Sequence, residues 1–470
     1  MRIERILEHR KPFEALEVTI LERDLTRPGE VSPHLLAGLR YVVSFCKIGI
    51  VRRRVDGVDV DVSDFVRPLA YRVRDLLQRR LGPEEPTLWG AVRALPELVD
   101  EVRAHRDALK ERFGLGRQDV DREVTHRKIV VALGGGGGAG YGYAGALRAL
   151  DREGLPVHLI CGTSIGALSG LFRARRGIYD PAPVYAALRD LSWNKVFTVG
   201  PQQSRYGLPA TLRLHLRAAI GRHFRGESGD VLTMRELGVP MHIVATGLTV
   251  DTLKHELSYY EHFLDDVVRP GMIFRVRGLA RMGKVVEIFR ELMSDPHTLK
   301  RVVFGLDPLT LDADCIDAAG FSASVPGLIH YDILRDAPRM TELMDRLYAE
   351  HGITRLTEGG VVENVPSRVA YESVMRGTLD GHRNAWILAF DCFAPNPRSL
   401  VWYPVQQLVR GNTLRSAAYA DVYVPLSRVL NPANLVPSVE QVEQASDWLY
   451  DDMAHHVPIT KAICTAFPPL

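Results

Sequence analysis

Hydrophobic and polar positions divide the 470-residue chain into a helical first part and a second part in which strands alternate with helices. In the first part apolar residues recur at intervals of three and four, which predicts helices over 32–47, 62–80 and 87–112. No motif with a recognisable chemical role occurs in this part. We therefore assign residues 1–124 to a mainly helical region of unknown role.

The second part opens with KIVVAL at 128–133, a short β-branched run that ends at a glycine, as expected of a buried parallel strand. A helical pattern over 143–153, an apolar run over 157–161 and a helical pattern over 165–176 come next. Strand, helix, strand and helix of these lengths form a βαβ unit. Further strands are predicted over 241–246, 385–391 and 422–424. The pattern predicts an α/β layered fold for residues 125–470.

Composition and charge argue against several classes of protein. The formal net charge is +2, whereas nucleic-acid-binding proteins carry a strong basic excess, so we predict no nucleic-acid partner. The five cysteines are odd in number and form no CxxC pair, which argues against a disulfide framework or a structural zinc site. The N-terminus lacks the apolar core of a signal peptide, and the uncharged stretch at 129–147 is too rich in glycine for a membrane span. We expect a cytoplasmic protein whose membrane contact, if any, is peripheral.

The strongest chemical signal is GTSIG at 162–166, a GxSxG motif between a predicted strand and a predicted helix. A serine on a sharp strand-to-helix turn has a strained backbone, and bulky residues two positions away would clash there. Gly162 and Gly166 remove that clash and leave the Ser164 hydroxyl exposed above the sheet. The N-terminus of the following helix favours negative charge at the site. Ser164 is therefore the candidate nucleophile.

A run of glycines, Gly134 to Gly138, follows the first strand of this part, with Gly140 just beyond it. Consecutive glycines let backbone N–H groups point into one cavity and bind a phosphate or an oxyanion. Gly135, Gly137 and Gly140 also match GxGxxG, but the next strand ends at the serine motif and offers no acidic residue for a ribose. No GK[ST] follows, so a P-loop is excluded. An oxyanion hole accounts for both motifs.

Four segments of the chain, in order, resemble the patatin-like phospholipases. They are the stretch at 134–168 that joins the glycine run to GTSIGAL, DAAGFSASVPGLI at 317–329, EGGVVENVP at 358–366 and ADVYVPL at 420–426. The third is similar to the family's D-G-G-x-x-N-x-P loop, which supplies the catalytic acid. The resemblance spans about 128–450. It implies a patatin-like layered fold with a mainly parallel central sheet flanked by helices, lipid or phospholipid ester substrates, and no cofactor.

The resemblance also implies a serine–acid dyad without histidine that hydrolyses esters through an acyl-enzyme. Carried over, Ser164 is the nucleophile and Glu358 is the general base, followed by the loop glycines Gly359 and Gly360. The implied oxyanion donors are the backbone amides of Gly136, Gly137, Gly138 and Ile165. Two positions depart from the family. Ala139 replaces the usual Arg or Lys, which removes a positive charge, and Glu358 replaces aspartate, which lengthens the acid by one methylene.

A catalytic triad with histidine and a calcium site are the alternatives to the dyad. Ser164, Glu358 and His382 have the chain order of an α/β-hydrolase triad, but the glycine run lies closer to the serine than in esterases of that type. We therefore interpret His382 as a loop histidine. Three aspartates suggest calcium but lack further ligands in the sequence, which is typical of a solvated turn: Asp312, Asp314 and Asp317. We predict no metal site.

Residues 251–310 are predicted to form a helical, basic insertion. Eight basic and three acidic residues between 269 and 301 give a local net charge of +5. Apolar residues lie among them, including Phe274, Leu279, Val285, Ile288 and Phe289. This composition predicts a cap near the mouth of the site that contacts anionic lipid. A solvated basic face is the alternative.

The sequence leaves three functions open. The first is hydrolysis of lipid esters at Ser164. The second is an esterase or thioesterase with soluble substrates. The third is a patatin-fold binding or scaffold protein with weakened catalysis, which Ala139 and Glu358 keep open.

Overall fold

We describe the fold from a computed structural model, in which residues 2–82, 86–199, 204–227, 229–252, 259, 278–333, 335–395 and 402–470 are described, without the side chains of 2, 278–285 and 296. Two compact units divide the chain. The first unit contains residues 1–129, 371–386 and 454–470, and the second contains 130–370 and 387–453. Residues 253–258 and 260–277 of the predicted basic insertion lie outside the described residues, Phe274 included.

The bounds of the regular elements are as follows. The strands are β1 (Ile50–Arg52), β2 (Asp59–Asp61), β3 (Lys128–Leu133), β4 (Val157–Thr163), β5 (Phe197–Val199), β6 (Ala210–Leu214), β7 (Met241–Leu248), β8 (Leu299–Phe304), β9 (Gly327–His330), β10 (Arg355–Thr357), β11 (Ala385–Asp391) and β12 (Val422–Pro425). The helices are α1 (Arg2–Thr26), α2 (Pro33–Phe45), α3 (Ser63–Arg80), α4 (Trp89–Phe113), α5 (Arg117–Thr125), α6 (Tyr143–Arg152), α7 (Ile165–Ala174), α8 (Ala182–Asp190), α9 (Trp193–Val196), α10 (Leu216–Ile220), α11 (Gly278–Met293), α12 (Cys315–Ser322), α13 (Pro338–His351), α14 (Ser367–Met375), α15 (Tyr403–Ala417), α16 (Val439–Met453) and α17 (Val457–Cys464).

The first unit is mainly helical, as predicted. Helices α2, α3 and α4 correspond to the three predicted segments, and their apolar faces share one core. Helices α1 and α5 and the antiparallel pair β1–β2 were not predicted. Helix α1 carries a proline, Pro12, inside its span, where proline usually ends a helix.

A buried ionic network also lies in the first unit. Lys47 Nζ lies 2.6 Å from Glu17 Oε2 and 3.3 Å from Glu14 Oε2. Arg127 and Arg40 approach Glu17 at 3.0 and 3.4 Å. Buried charges are tolerated when each has a partner of opposite sign, and these side chains satisfy that condition. Arg40 in α2 and Lys47 just beyond the end of that helix are therefore interior charges.

The central sheet has seven strands in the order β10-β7-β4-β3-β11-β12, with β8 also paired to β7. Strands β4 and β7 are parallel, as are β11 and β12, whereas β8 and β10 run antiparallel to β7. The sheet is therefore mainly parallel, and helices flank it, which confirms the predicted fold class. The predicted βαβ unit is β3–α6–β4, followed by α7. Strands β8 and β10 were not predicted.

This topology positions the candidate site. In a mainly parallel sheet the carboxyl ends of neighbouring strands meet at one edge, where ligands usually bind. The glycine run follows β3, and Ser164 follows β4 directly. Glu358 reaches this edge differently, because β10 runs antiparallel to β7 and its register pairs Thr357 with Thr246, two residues beyond the partner of Thr163 in β4.

Candidate active site

Ser164 occupies a strained turn between β4 and α7. Its backbone has φ 55° and ψ −123°, and Asp380 is the only other non-glycine residue with positive φ among those described. Such a conformation persists only where the surrounding structure enforces it. The close packing explains the flanking glycines. A Cβ on Gly162 would lie 2.7 Å from Ala167 Cα, and one on Gly166 would lie 2.1 Å from Leu133 O.

The turn is held from below by Ser322, a residue whose role the sequence analysis missed. The Ser164 backbone N–H donates to Ser322 Oγ at 2.8 Å. Ser322 Oγ in turn donates to the carbonyl of Val244 in β7 at 2.5 Å. Ser322 belongs to the DAAGFSASVPGLI segment, which was noted only for its resemblance. The segment therefore has a physical task, since it fixes the backbone of the candidate nucleophile.

The glycine run supplies fewer free amides than predicted. The Gly138 N–H, a predicted oxyanion donor, donates to the carbonyl of Pro432 at 2.8 Å, so this amide is already occupied in the structure. Gly135 N–H donates to Asn364 O at 3.0 Å. Within the described residues, the amides of Gly136 and Gly137 have no acceptor.

The amide of Ile165, at the first position of α7, likewise has no acceptor within the described residues. Gly140 lies in the 3₁₀ turn Gly137–Gly142, which carries the chain from the glycine run into α6. Ala139, at the family's usual Arg or Lys position, is fully buried in this turn. Three backbone N–H groups therefore remain available near Ser164, from Gly136, Gly137 and Ile165.

Glu358 lies at the start of the loop after β10, and its backbone is anchored on both sides. Its N–H donates to Ser324 O at 2.9 Å, and its carbonyl accepts from Thr246 Oγ1 at 2.7 Å. Gly359 and Gly360 form the turn that follows. The loop thus holds the Glu358 backbone rigidly while its side chain extends toward the serine.

The Glu358 carboxylate is buried and accepts hydrogen bonds from Ser164 and from the Gly360 backbone. Burial raises the pKa of Glu358 to about 8, and the two hydrogen bonds lower it only in part. Glu358 Oε2 has no hydrogen-bond partner among the described residues. In the part of the chain that the structure describes, no Lys or Arg lowers the pKa of Glu358. This environment produces a carboxylate with an unusually high proton affinity, next to a serine hydroxyl.

The family model for patatin-like phospholipases matches residues 131–371, just over half of the chain. The chain belongs to the patatin-like phospholipase family. The matched range contains the glycine run, Ser164 and Glu358. Among curated proteins, no significant match to the sequence was found. Family membership indicates a lipid acyl hydrolase in general terms.

Two apolar cavities meet at Ser164 in this patatin-like domain. Cavity A, of about 150 Å³, is bounded by one face of α7 and by α8, α10 and the β5–β6 pair. Cavity B, of about 120 Å³, is bounded by Glu358, Asn364, Phe289 and Val405, among others. The two share a common wall: Gly137, Ser164, Val325, Ile329 and Leu435. Each could hold a hydrocarbon chain, since each exceeds by roughly tenfold the space that one water needs.

The structure places His382 in the first unit, where its described contacts are not those of a catalytic triad. Its Nδ1 lies 3.3 Å from Glu123 Oε2, and its Nε2 lies 3.0 Å from the carbonyl of His126. Both ring nitrogens therefore have neighbours within that unit. The simpler interpretation, a loop histidine beside Asp380, accords with these contacts.

The three aspartates that suggested calcium are paired with arginines. Asp314 lies 2.6 Å from Arg217, Asp317 lies 3.0 Å from the same guanidinium, and Asp312 lies 3.0 Å from Arg235. Paired in this way, the carboxylates hold the start of α12. No group of three or more His, Cys, Asp or Glu side chains in the described part of the chain could hold a metal ion.

The described helices are too short or too polar to span a bilayer. Of the apolar residues in the predicted insertion, Ile288 and Phe289 lie on α11 and are buried in the second unit.

Proposed function

We propose that the protein hydrolyses lipid esters through an acyl-enzyme on Ser164, with Glu358 as the general base. The observation that carries this proposal is the hydrogen bond between the Ser164 hydroxyl and a buried carboxylate that has no cationic partner among the described residues. A serine hydroxyl is a weak nucleophile until an adjacent base accepts its proton. Glu358 occupies that position.

The proposed reaction has two halves. In the first, Ser164 Oγ attacks the ester carbonyl while Glu358 accepts its proton. The amides of Gly136, Gly137 and Ile165 stabilise the oxyanion, and Glu358 then returns the proton to the leaving alcohol. In the second half, water repeats the sequence on the acyl-enzyme and releases the fatty acid. The strained elbow contributes by holding Oγ in an attacking position before substrate arrives.

Two observations favour this function over the alternatives. A scaffold protein has no need for a carboxylate with a pKa of about 8 hydrogen-bonded to a serine on a strained turn. A soluble-substrate esterase has no need for two largely apolar cavities beside the nucleophile. Hydrolysis of a lipid ester would use both the serine–carboxylate pair and the apolar cavities.

Fluorophosphonate labelling tests the proposal, because the probe reacts only with an activated serine. We expect intact-mass spectrometry to show one adduct on the wild-type protein and on Ser427→Ala, a matched change at an exposed serine, and none on Ser164→Ala. Lipid ester hydrolysis should follow the same pattern. Labelling or hydrolysis that survives in Ser164→Ala would exclude Ser164 as the nucleophile.

We also propose a cytoplasmic location and peripheral contact with anionic lipid. The support for contact is the local net charge of +5 between residues 269 and 301. Electrostatic attraction of this kind weakens as salt screens the charges. Binding to vesicles that contain phosphatidylserine should fall between 50 and 500 mM NaCl, and also on charge reversal at Arg275, Arg277 and Arg281. Salt-independent binding would exclude an electrostatic contact.

A further inference from the structure

The two cavities at Ser164 differ in one chemically decisive respect. Glu358 borders cavity B and does not border cavity A. Gly360, whose backbone N–H donates to the Glu358 carboxylate, also borders cavity B only, as do Gly136 and Asn364. Cavity A instead lies on the α7 side of the nucleophile. The hydroxyl of Ser164 therefore has a proton acceptor on one side and a mainly apolar space on the other.

Cavity A follows the axis of α7. Ile165, Leu168, Ser169, Phe172 and Arg173 all line it, and their spacing of three and four places them on one face of the helix. At 1.5 Å per residue this face is about 12 Å long. An extended alkyl chain of roughly ten carbons has that length, given C–C bonds of about 1.5 Å. Arg173, at the far end, donates to the carbonyls of Arg176 and Gly177.

The direction of proton transfer assigns the two halves of an ester to the two cavities. Glu358 gains a proton when Ser164 attacks, and the leaving alkoxide must receive that proton as the C–O bond breaks. The alcohol half must therefore lie on the Glu358 side, in cavity B. The acyl half, bonded to the same carbonyl carbon, is then directed into cavity A.

The lining of cavity B restricts the alcohol. Its described residues include no Lys, Arg or His, and its walls come largely from Trp193, Leu212, Phe289, Trp402 and Val405. A phosphate placed there would lose its hydration without gaining a cation, which is costly. An uncharged hydrocarbon would gain from burial.

We infer that the preferred substrate is an uncharged ester with a hydrocarbon chain on each side of the scissile bond. The acyl chain lies along α7 in cavity A, and the alcohol chain, as in a long-chain alkyl ester or an acylglycerol, lies in cavity B. This inference rests on the proposed function, because it uses the Ser164–Glu358 proton transfer.

Two space-filling variants separate the cavities. Leu188 borders cavity A only and Val405 borders cavity B only, and both are buried. The substrates are ethyl decanoate, decyl acetate and ethyl acetate as the short reference. In Leu188→Trp we expect the preference for ethyl decanoate over ethyl acetate, as a ratio of kcat/KM, to fall at least tenfold. The preference for decyl acetate should change less than threefold. Val405→Trp should give the opposite pattern.

Reversed patterns would overturn the assignment of the cavities, and equal losses on both long esters would overturn their separation. Because a larger side chain can destabilise a packed core, each variant is paired with its cavity-enlarging counterpart, Leu188→Ala or Val405→Ala. The enlarged cavity should extend the longest chain accepted on the same side only. Decyl acetate is also compared with an analogue whose alcohol chain ends in phosphate. We expect at least tenfold lower kcat/KM, and equal or faster turnover would overturn the uncharged class.

The wild-type enzyme and Ser164→Ala serve as the reference for the whole series. If ethyl acetate and both long esters are hydrolysed equally by these two proteins, or by neither, the proposed function fails. The assignment of the cavities can fail while the proposed function holds. That result would be hydrolysis that depends on Ser164, with the two Trp variants showing the same preference between ethyl decanoate and decyl acetate.

Discussion

Two glutamates five positions apart on one loop, Glu358 and Glu363, are both buried yet have contrasting surroundings. The Glu363 carboxylate accepts hydrogen bonds from Arg301 at 3.0 Å and from Ser416 at 2.8 Å. It also accepts from the backbone N–H groups of Arg368 and Val369 at 3.0 and 3.2 Å. Glu358 accepts from Ser164 and Gly360, and its Oε2 has no partner among the described residues.

The difference separates a structural carboxylate from a reactive one. Burial raises the pKa of both groups, but Arg301 and the other donors counteract that effect at Glu363. A carboxylate whose oxygens both accept hydrogen bonds stabilises its loop and has a weaker tendency to accept a proton. An incompletely satisfied carboxylate beside a hydroxyl has a strong tendency to accept one. The contrast, rather than burial alone, supports the proposal that Glu358 is the base.

Replacing each glutamate by aspartate should give the largest difference in activity between the two positions. Glu358→Asp should lower kcat about 100-fold, because the structure shows the longer side chain already in contact with Ser164, and a misplacement near 1 Å can cost that much. Glu363→Asp should lower kcat less than tenfold. The measurement is steady-state hydrolysis of a lipid ester. Faster turnover by Glu358→Asp would mean that the loop can supply an aspartate at the same position, as in the rest of the family.

Neutralising Glu363 should affect stability more than catalysis. Glu363→Gln weakens the charge-assisted contact with Arg301. It also places an NH2 donor where the neighbouring groups donate hydrogen bonds to an oxygen, and the cost to stability should be about 1–3 kcal/mol. Urea denaturation should show this loss, while kcat stays within tenfold of wild type. A stable protein without activity would instead place Glu363 in the reaction.

The pH dependence of hydrolysis should report Glu358. The base must be ionised, and its pKa of about 8 means that kcat/KM rises about tenfold per pH unit below pH 8 and levels off above it. The same titration should be absent from the residual activity of Glu358→Gln. A profile that is already flat from pH 6 upward would show that Glu358 is not the titrating base.

The last expected effect is on stability as pH changes. The folded pKa of Glu358, about 8, lies above its ordinary value of 4.5, so the folded state binds more protons between these two values. The stability that Glu358 contributes is therefore complete below pH 4.5 and declines as pH rises through 8. As the pH rises from 5 to 9, the Tm of Glu358→Gln should therefore increase relative to the Tm of wild type. A constant Tm difference would contradict a raised pKa.

The sequence predicted the parts of the site that depend on local chain geometry. GTSIG and the strand before it specify the elbow, since the steric demand for Gly162 and Gly166 arises within a few residues. The β3–α6–β4 unit follows from hydrophobic spacing and short connections in the same way. Family resemblance supplied Glu358, which spacing alone does not single out.

The parts that were missed depend on contacts between distant segments. The Gly138 amide is occupied by Pro432, a residue almost 300 positions away, and no local pattern reveals that bond. Ser322 and Glu363 are likewise defined by partners on other elements. Strand β10 has three residues, too few for an alternating pattern to be visible. Helix α1 was missed because Pro12 interrupts it.

The most direct test of the Ser164–Glu358 dyad is the rate at which a fluorophosphonate modifies Ser164 at pH 8. The rate is followed by intact-mass spectrometry in wild type, Glu358→Gln and Glu363→Gln. Loss of the acid member of a serine-hydrolase site can lower turnover on the order of 10⁴-fold. We expect modification of Glu358→Gln to be at least 100-fold slower than wild type, and that of Glu363→Gln to stay within threefold. Equal rates in all three proteins would contradict activation of Ser164 by Glu358.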